Sequence, residues 1–263
     1  MFKEVAKLIK EGSVVAFTGA GISCESGIPA FRGEDGLWKK YDPEIYATVD
    51  GLVSLFKNDI KNLKNFIIEN FNILIKAEPN FSHFALSSLE EKGYLIGVIT
   101  QNIDNLHIEA GTKNITEIHG NIYNFLCPKC WYSIKRKKEE VKEFIKNLSD
   151  CNKKIVIKKY ILEFLGRCPK CRIILRSGVV LFGQELPERE LNRSYEFLDK
   201  AKTLICIGTS GNVYPAAHIP FYAYDRKIKI INVNIDSSSI DRISDFIFRE
   251  KASIFFKKLF SYL

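Results

Sequence analysis

Four short apolar segments constrain the fold of this chain more than any other feature of its sequence. They are residues 14–17, 94–99, 204–207 and 228–233. Segments with helical spacing of apolar residues lie between them, at 81–91, 188–200 and 214–225. Short apolar runs that alternate with helices are typical of parallel strands buried on both faces. We therefore predict an α/β fold built on a doubly wound parallel sheet.

Each predicted strand ends in a glycine-rich or polar cluster. In chain order the clusters are Gly19, Ala20 and Gly21; Gln101, Asn102, Ile103 and Asp104; Gly208, Thr209 and Ser210; and Asn232, Val233 and Asn234. The first cluster alone is a weak signal, because its Gly-x-Gly-x-x-Cys spacing lacks the third glycine of the dinucleotide-binding fingerprint. Ligands of doubly wound sheets bind at the carboxyl ends of the strands. The four clusters together therefore predict one ligand crevice.

The seven cysteines include two matched C-P-K-C pairs. The pairs are Cys127 with Cys130 and Cys168 with Cys171, and 37 residues separate them. Four thiolates in this arrangement complete a tetrahedral Zn²⁺ site and leave no position for a reacting water. A disulfide pair and a redox dithiol are the alternatives, and both suit a cytosolic chain less well. We predict one structural zinc ion, with a helix at 137–148 and a strand near 155–161 between the pairs.

The charge is unevenly distributed along the chain. The net charge is +8, and residues 135–160 hold ten Lys and Arg against four Asp and Glu. This segment suits either a nucleic-acid footprint or a solvated, lysine-rich insert. We favour the insert, because no aromatic residues alternate with these lysines to stack on bases. Direct nucleic-acid binding is therefore not expected.

The N-terminal residues and the composition predict a soluble intracellular protein. Residues 1–10 place charged and apolar side chains at helical spacing, which is typical of an amphipathic helix and not of a signal peptide. No apolar run approaches the roughly 18 residues that a membrane span needs. We expect a cytoplasmic location and no membrane partner.

In their order along the chain, these motifs resemble the sirtuin family of NAD-dependent protein lysine deacylases. The resemblance covers nearly the whole chain and rests on the cysteine pairs and on residues 19–23, 27–33, 100–104, 106–107, 118–120, 179–183 and 208–210. Residues 36–43 are most similar to small prokaryotic, particularly archaeal, members. The resemblance implies a Rossmann-like NAD-binding catalytic domain at 1–120 and 176–263, with a smaller zinc-ribbon domain inserted at 121–175. Residues 30–80 would contain the cofactor loop and a helical segment of the smaller domain.

The resemblance implies a reaction that consumes NAD. The acetyl group of an acetyl-lysine would pass to ADP-ribose, with release of nicotinamide and O-acetyl-ADP-ribose. The partners would be acetyl-lysine peptides and proteins, chromatin-associated proteins among them. A loop would cover the nicotinamide end, because water reaching it would divert the reaction to hydrolysis.

The resemblance also assigns the residues that carry this chemistry. His119 would be the general base, because a neutral imidazole takes up a proton near pH 7 and would accept it here from a ribose hydroxyl. Asn102 would contact the ribose and assist nicotinamide release, and Asp104 would accept a hydrogen bond from the carboxamide. His107 would brace the loop structurally. A surface or packing role suffices for His83.

Further contacts with NAD and with the peptide follow from the family pattern. Besides Asn102 and Asp104, the NAD contacts would be Gly19, Ala20, Gly21, Ser23, Ile28, Ala30, Phe31, Arg32, Trp38, Gln101, Ile103, Gly208, Thr209, Ser210, Asn232, Val233, Asn234 and Ala252. The acyl-lysine peptide would meet Phe31, His119, Val179, Val180, Leu181, Phe182 and Gly183. The last five would pair with the peptide backbone as an added strand.

The acyl preference is also implied by the resemblance. Sirtuins that prefer succinyl-lysine or malonyl-lysine carry a Tyr-x-x-Arg pair in the helix before a Glu-Pro-Asn segment. When that segment is aligned on residues 78–80, the pair is replaced by Ile67 and Asn70, which cannot pair with a carboxylate. Acidic acyl groups are therefore expected to be disfavoured. The chain also departs from the family pattern at Ala30, Ser177, Gln184 and Glu250.

Two other functions remain open from the sequence. A mono-ADP-ribosyltransferase or NAD glycohydrolase would use the same pocket with a different nucleophile. It ranks second because residues 179–183 keep the peptide-binding pattern. A zinc-ribbon nucleic-acid binder with a degenerate nucleotide fold ranks third, because Asn102, Asp104 and His119 are all present.

Overall fold

The computed structural model describes residues 1–31 and 36–263. The helices, in chain order, are α1 Phe2–Lys10, α2 Leu37–Lys40, α3 Pro43–Tyr46, α4 Val49–Asn58, α5 Ile60–Lys76, α6 Phe81–Glu91, α7 Leu106–Glu109, α8 Lys138–Asp150, α9 Lys154–Leu165, α10 Glu188–Asp199, α11 His218–Asp225 and α12 Ala252–Phe260. The strands are β1 Val14–Thr18, β2 Leu95–Thr100, β3 Ile115–Glu117, β4 Asn124–Leu126, β5 Ser133–Lys135, β6 Arg176–Ser177, β7 Thr203–Ile207, β8 Lys229–Val233 and β9 Phe246–Phe248. Short 3-10 turns lie at Ala20–Ile22, Cys24–Ser26 and Ser239–Ile243.

The chain forms two compact units. The first, which we call the sheet unit, comprises Met1–Ala30, Glu78–His119 and Leu186–Leu263. The second, the cysteine unit, comprises Phe31–Ala77 and Gly120–Glu185. Residues 176–185 thus cluster with the cysteine unit, because β6 pairs with β4 there. The domain boundaries expected from the sequence, which assign these residues to the catalytic domain, stay a prediction.

The sheet unit contains a six-stranded sheet in the order β3-β2-β1-β7-β8-β9, in which every neighbouring pair is parallel. All five residues of β1 are buried. Val14 and Ala16 pack in the core that includes α1, α6 and α12, whereas Val15 and Phe17 pack in the core that includes α10 and α11. Side chains alternate between the faces of a strand, so helices cover both faces of this sheet. The predicted doubly wound parallel sheet is confirmed.

Apolar burial holds the first helix against this sheet. Val5, Ala6 and Ile9 of α1 are buried in the core, and the predicted amphipathic helix is confirmed. Burying a side chain such as Ile9 fully contributes about 1.5–3 kcal/mol relative to leaving it in water. Among the described residues, no helix combines the length and the apolar character that a bilayer crossing needs.

The cysteine unit contains a small antiparallel sheet in the order β5-β4-β6. Its apolar centre includes Phe125, Cys127, Cys168 and Leu175, all buried. The helix predicted at 137–148 is confirmed as α8, whose buried residues Val141, Phe144, Ile145 and Leu148 recur at helical spacing. The sheet and these helices position the paired cysteines.

The strand predicted near residues 155–161 is wrong, because this segment lies within helix α9. Ile157 and Ile161 are buried four residues apart, whereas Ile155 and Val156 are exposed. Short runs of β-branched residues suit a buried strand or a buried helix equally well until their partners are known. Here one helical face is buried, and the helical period decides the structure.

Candidate functional site

The glycine turn after β1 lies against the end of β7. A Cβ atom at Gly21 would lie 2.6 Å from the Cα of Gly208, and one at Gly19 would lie 2.8 Å from the Gly208 carbonyl oxygen. Gly208 itself has φ +59°, in the left-handed region that favours glycine. The N–H groups of Gly19 and Gly21 donate to the carbonyl oxygens of Ile207 and Gly208 at 3.0 and 2.9 Å. These glycines therefore permit close backbone approach, and their N–H groups are used within the protein.

Asn102 is held from three sides at the end of β2. Its backbone N–H donates to Thr100 Oγ1 at 3.0 Å. Its Nδ2 donates to the Gly19 carbonyl oxygen at 3.2 Å and to Ser23 Oγ at 3.0 Å. The side chain is buried, so these contacts fix its orientation. The cluster after β1 and the cluster after β2 are therefore brought together, as the sequence predicts.

Ser23 is the centre of a buried hydrogen-bond network. Its Oγ accepts from Asn102 and donates to Asp104 Oδ2 at 2.7 Å. Asp104 Oδ1 accepts from the Leu106 N–H at 2.9 Å. Burial raises the pKa of Asp104, while the hydrogen bonds from Leu106 and Ser23 oppose that shift. One serine thus connects two of the residues that the sequence predicts to be catalytic.

His83 contacts the same serine, a role that the sequence did not predict. Nδ1 of His83 accepts from the Asn80 N–H at 3.2 Å, so Nε2 carries the proton and lies 3.4 Å from Ser23 Oγ. The side chain is buried, and burial lowers its pKa to about 4. Asn80 and His83 form a capping box at the start of α6. Their three-residue spacing is the sequence signal that identifies His83 as a fixed, neutral side chain.

A second hydrogen-bond chain runs from His107 through Thr18 and Thr100 to the backbone of Asn102. His107 Nε2 lies 3.0 Å from Thr18 Oγ1, which donates to Thr100 Oγ1 at 2.8 Å. Thr100 Oγ1 in turn accepts from Asn102, as described above. Burial lowers the pKa of His107 well below its ordinary value. The bracing role predicted for His107 agrees with these contacts, whereas the two threonines at the strand ends were not identified from the sequence.

His119 presents one ring nitrogen to the protein. Its Nδ1 lies 2.9 Å from the Gln101 carbonyl oxygen, which has no proton to give, so Nδ1–H donates. Nε2 is then the unprotonated nitrogen of a neutral ring. Burial lowers the pKa of His119 below its ordinary value, and the hydrogen bond to Gln101 opposes that shift. This tautomer and this direction of shift suit a proton acceptor near pH 7.

Side chains also join the ends of β2, β7 and β8. Gln101 Nε2 donates to Thr209 Oγ1 at 2.8 Å, and Asn234 Nδ2 donates to the Thr209 carbonyl oxygen at 2.9 Å. Thr209 is buried, whereas Ser210 beside it is exposed. Three of the four predicted clusters therefore meet at Thr209.

Asn232 is turned into the protein. Its Nδ2 donates to Ser238 Oγ at 2.9 Å and to Asp241 Oδ1 at 2.7 Å, and the residue is fully buried. Its Oδ1 has no hydrogen-bond partner within the described residues. The side chain thus fixes the turn at Ser239–Ile243. The ribose contact expected of Asn232 stays a prediction.

Three aromatic residues from the predicted cofactor and peptide segments pack together in the cysteine unit. The ring centroids of Phe31 and Trp38 are 5.7 Å apart, and those of Trp38 and Phe182 are 6.0 Å apart. Phe31 and Phe182 remain 36% and 43% exposed, so this apolar surface is available to a ligand. Arg32, expected to hold a phosphate or ribose, lies outside the described residues.

Residues 179–183 do not form a strand of the described sheets. Phe182 makes an isolated parallel bridge with Thr48, and its N–H donates to the Ala47 carbonyl oxygen at 2.8 Å. Gln184 Oε1 accepts from the Leu181 N–H at 2.9 Å. Gln184 departs from the family pattern, and here its side chain caps the backbone of the predicted peptide-binding segment. The same segment contains the other predicted peptide contacts, Val179, Val180, Leu181 and Gly183.

The remaining predicted NAD contacts are distributed along the sheet unit. Ala20, Ile28, Ala30 and Ile103 are half-buried, whereas Val233 and Ala252 are buried. Ala252 begins α12, whose following residue Ser253 donates from Oγ to Glu25 Oε1 at 2.8 Å. The adenine contact expected of Ala252 stays a prediction.

The paired cysteines form one cluster. The sulfur atoms of Cys127, Cys130, Cys168 and Cys171 all lie within 4.8 Å of one another, and those of Cys130 and Cys168 are 3.5 Å apart. Tetrahedral Zn–S bonds of about 2.3 Å require sulfur separations close to the 3.5 Å between Cys130 and Cys168. Burial acts to raise the pKa of Cys127, but hydrogen bonds from the backbone of Cys130 and of Lys129 lower it to about 7. These donors fit a closed, structural Zn²⁺ site.

The chain matches the family model described as the Sir2 family over residues 19–215. It is 42% identical to an NAD-dependent protein deacylase of Pyrococcus abyssi, over 96% of this chain and 94% of that protein. It is 43% identical to an NAD-dependent protein deacylase of Pyrococcus furiosus, over 98% of this chain and 96% of that protein.

A solved structure gives the same result. It is a Sir2 protein with a deacetylated p53 peptide and 3'-O-acetyl-ADP-ribose, and the TM-score with this chain is 0.79. The sequences are 31% identical, and the match covers 99% of this chain and 97% of that chain.

Proposed function

The chain belongs to the Sir2 family and is an NAD-dependent protein deacylase; we propose that it prefers acetyl-lysine to acidic acyl-lysines. We propose further that Asn102, Asp104 and His119 carry its chemistry. NAD would supply the ribose carbon that receives the acetyl oxygen and the nicotinamide that leaves; one water is consumed, and the products are nicotinamide, the free lysine and O-acetyl-ADP-ribose. Chromatin-associated substrates and a cytoplasmic location stay predictions.

The observation that carries the catalytic assignment is the geometry of His119. Its Nδ1–H is fixed on the Gln101 carbonyl oxygen, and Nε2 is left as the basic nitrogen. The lowered pKa keeps the ring unprotonated at neutral pH. A base of this kind can accept a proton from a ribose hydroxyl while a new bond to the acetyl group forms. His119 then returns the proton to solvent.

Asn102 and Asp104 orient the cofactor in this proposal. Both Nδ2 hydrogens of Asn102 are engaged by Gly19 and Ser23, so Oδ1 is the atom that we assign to a ribose hydroxyl. Each oxygen of Asp104 already accepts one hydrogen bond and has a second lone pair. We assign that capacity to the NH₂ group of the nicotinamide carboxamide.

Zn²⁺ has a structural role, whereas NAD takes part in the reaction. The four cysteines hold one structural Zn²⁺, which stabilises the cysteine unit. Phe31, with Trp38 behind it, would cover the reacting ribose and exclude water from it.

The acyl preference rests on two positions of α5. Ile67 brings an apolar side chain, and the Nδ2 of Asn70 donates to the Phe66 carbonyl oxygen of its own helix at 2.8 Å. Neither side chain carries a positive charge for an acyl carboxylate. Acetyl-lysine, and apolar acyl groups in general, have no carboxylate and require no positive charge in the site.

The test compares kcat/KM for matched acetylated and succinylated peptides in the presence of NAD. We expect faster deacetylation, with O-acetyl-ADP-ribose as the product. Installing Ile67→Tyr with Asn70→Arg should shift the ratio toward succinyl-lysine, since Arg pairs bidentately with a carboxylate. Ser54→Ala, at an exposed position of α4, is the control. Desuccinylation as fast as deacetylation by the unaltered protein would refute the proposed preference. Formation of ADP-ribose without any acetylated peptide would instead indicate an NAD glycohydrolase.

A further inference from the structure

The positive charge of the chain is concentrated around the paired cysteines. Residues 120–185 hold fifteen Lys and Arg against six Asp and Glu, a net charge of +9. The whole chain has a net charge of +8, so the other residues together are almost neutral. One Zn²⁺ on four thiolates subtracts two charges and leaves a large positive excess. A segment with this excess attracts polyanions.

Trp131 directly follows the first cysteine pair and is not part of the buried core of the described residues. Its side chain is 68% exposed. Its φ of 59° lies in the left-handed region, where a bulky side chain is disfavoured and glycine is not. The turn enforces this conformation, because the Trp131 N–H donates to the Cys127 carbonyl oxygen at 3.1 Å. Such a residue indicates a binding role.

The second cysteine pair repeats the same turn with a cation. Arg172 has φ 62°, and its N–H donates to the carbonyl oxygen of the first cysteine of its pair at 2.8 Å. Lys129 and Lys170 occupy the same position in their C-P-K-C motifs. The turns are neighbours, because all four sulfur atoms lie within 4.8 Å of one another. Lys170 Nζ lies 5.9 Å from the ring centroid of Tyr132, the residue after Trp131.

We propose that the surface formed by Trp131, Lys129, Lys170 and Arg172 binds single-stranded nucleic acid. Trp131 stacks on an exposed base, and the three cations pair with phosphates. A duplex would leave the ring unused, since its base faces are already stacked. An acidic polypeptide would engage the cations but would not require the tryptophan. The objection drawn from the sequence concerned residues 135–160, and the aromatic residue lies just outside that segment.

The test measures the fluorescence anisotropy of a labelled oligo(dT) with the full-length, zinc-loaded protein over a series of KCl concentrations. Trp131→Gly suits the left-handed backbone and removes the ring. It should weaken binding by roughly 5- to 150-fold, the effect of losing one stacked base. Trp131→Phe keeps a stacking surface and should bind more tightly than Trp131→Gly.

The cations are tested by the salt dependence of binding. Lys129→Ala and Lys170→Ala should each lower the slope of log K against log salt by about 0.7, the value for one lost phosphate contact on a single strand. Lys7→Ala, at an exposed lysine of α1, is the matched control and should leave binding unchanged. Oligo(rU) in place of oligo(dT) distinguishes an RNA site from a DNA site.

Two further measurements separate this proposal from the enzymatic one. Zinc content and deacetylation of a short acetylated peptide should be the same in Trp131→Gly and the unaltered protein. Should Trp131→Gly lose zinc, Trp131→Asn, which also tolerates this backbone, replaces it. Equal oligo(dT) binding by the unaltered protein and the variant that lacks the ring would overturn the proposal. Equally tight binding of polyglutamate would overturn it in favour of an acidic polypeptide.

Discussion

Two histidines of the sheet unit, the half-buried His119 and the buried His83, have opposite tautomers. His119 donates from Nδ1 to a carbonyl oxygen, whereas His83 accepts at Nδ1 from a backbone N–H. Nε2 of His119 is therefore basic, and Nε2 of His83 carries a proton that it directs at Ser23. The first arrangement suits proton transfer, and the second suits holding a serine in place. The backbone partner of each ring thus leaves Nε2 of His119, and not Nε2 of His83, able to accept a proton.

Replacing His119 by Ala should separate the early from the late part of the reaction. We expect kcat/KM for deacetylation to fall by roughly 10²–10⁴-fold, the usual effect of losing a general base. Exchange of free nicotinamide into NAD in the presence of acetylated peptide should be retained better, because that step requires no proton acceptor. The pKa of His119 is lowered, so the acid limb of the unaltered protein should lie below pH 6.5. Near-normal deacetylation by the variant would show that another group is the base.

Ser23→Ala should impair exchange and deacetylation together. The substitution removes the partner of Asn102, Asp104 and His83 at once, and each buried group left unpaired costs about 1–3 kcal/mol. Urea denaturation should show the loss of stability, and nicotinamide exchange should show the loss of orientation. The control is again Ser54→Ala, which should match the unaltered protein in both measurements. Full exchange activity in Ser23→Ala would mean that Asn102 and Asp104 hold their positions without it.

Sequence motifs assign the proposed reacting residues but do not reveal the residues that hold them in place. Asn102, Asp104 and His119 follow from motifs within single strand ends. Thr18, Thr100 and His83 act through contacts with residues from 60 to 89 positions away, as in the 2.8 Å bond between the two threonines. A strand-end threonine is indistinguishable from ordinary β-structure until its neighbour across the sheet is known.

At the scale of elements, burial on both faces made the central strands predictable, whereas apolar residues on the exposed face of α9 made its helical period hard to recognise. β1 is buried throughout, and four of its five residues are apolar, because helices cover both of its sides. α9 has a buried face and an exposed one, yet its exposed face carries Ile155 and Val156. Exposed apolar residues hide the helical period, which is why this segment was predicted as a strand. The parallel sheet was therefore foreseeable, and the α9 helix was not.

The cysteine pairs make a separate prediction at this scale. Cys130→Ala or Cys171→Ala should release zinc and unfold the cysteine unit, at a cost on the order of several kcal/mol. Metal analysis and limited proteolysis of the purified proteins would measure both effects. Cys151→Ala is the matched control, since the Sγ of Cys151 donates to the Asn147 carbonyl oxygen and lies outside the cluster. Retained zinc in both cluster variants would contradict the assignment.

For the whole molecule, the buried neutral histidines predict how stability depends on pH. His83 has a pKa of about 4 when folded and near 6.5 when unfolded, so the unfolded chain binds the extra proton between these values. The free energy of unfolding should therefore fall as the pH drops from 6.5 toward 4, by about 3 kcal/mol for His83. His107 is shifted in the same direction and adds to the loss.

Urea denaturation at a series of pH values measures this dependence. His83→Gln should make the profile flatter, because the variant has no group to protonate at this position. His218→Gln, at an exposed histidine of α11, is the control and should keep the original slope. A profile without any loss between pH 6.5 and 4 would show that the buried histidines take up protons without unfolding.

The position of β1 in the sheet has a consequence for how the chain is made. Its partners are β2 on one side and β7 on the other, and Val14 pairs with Thr203, about 190 residues later. At 5–20 residues per second, a ribosome takes roughly 10–40 s to cover that distance. Until then the nascent chain carries an apolar strand with one open edge, which is a template for pairing with other chains. Synthesis of this protein therefore depends on keeping that edge isolated for longer than most small domains need to fold.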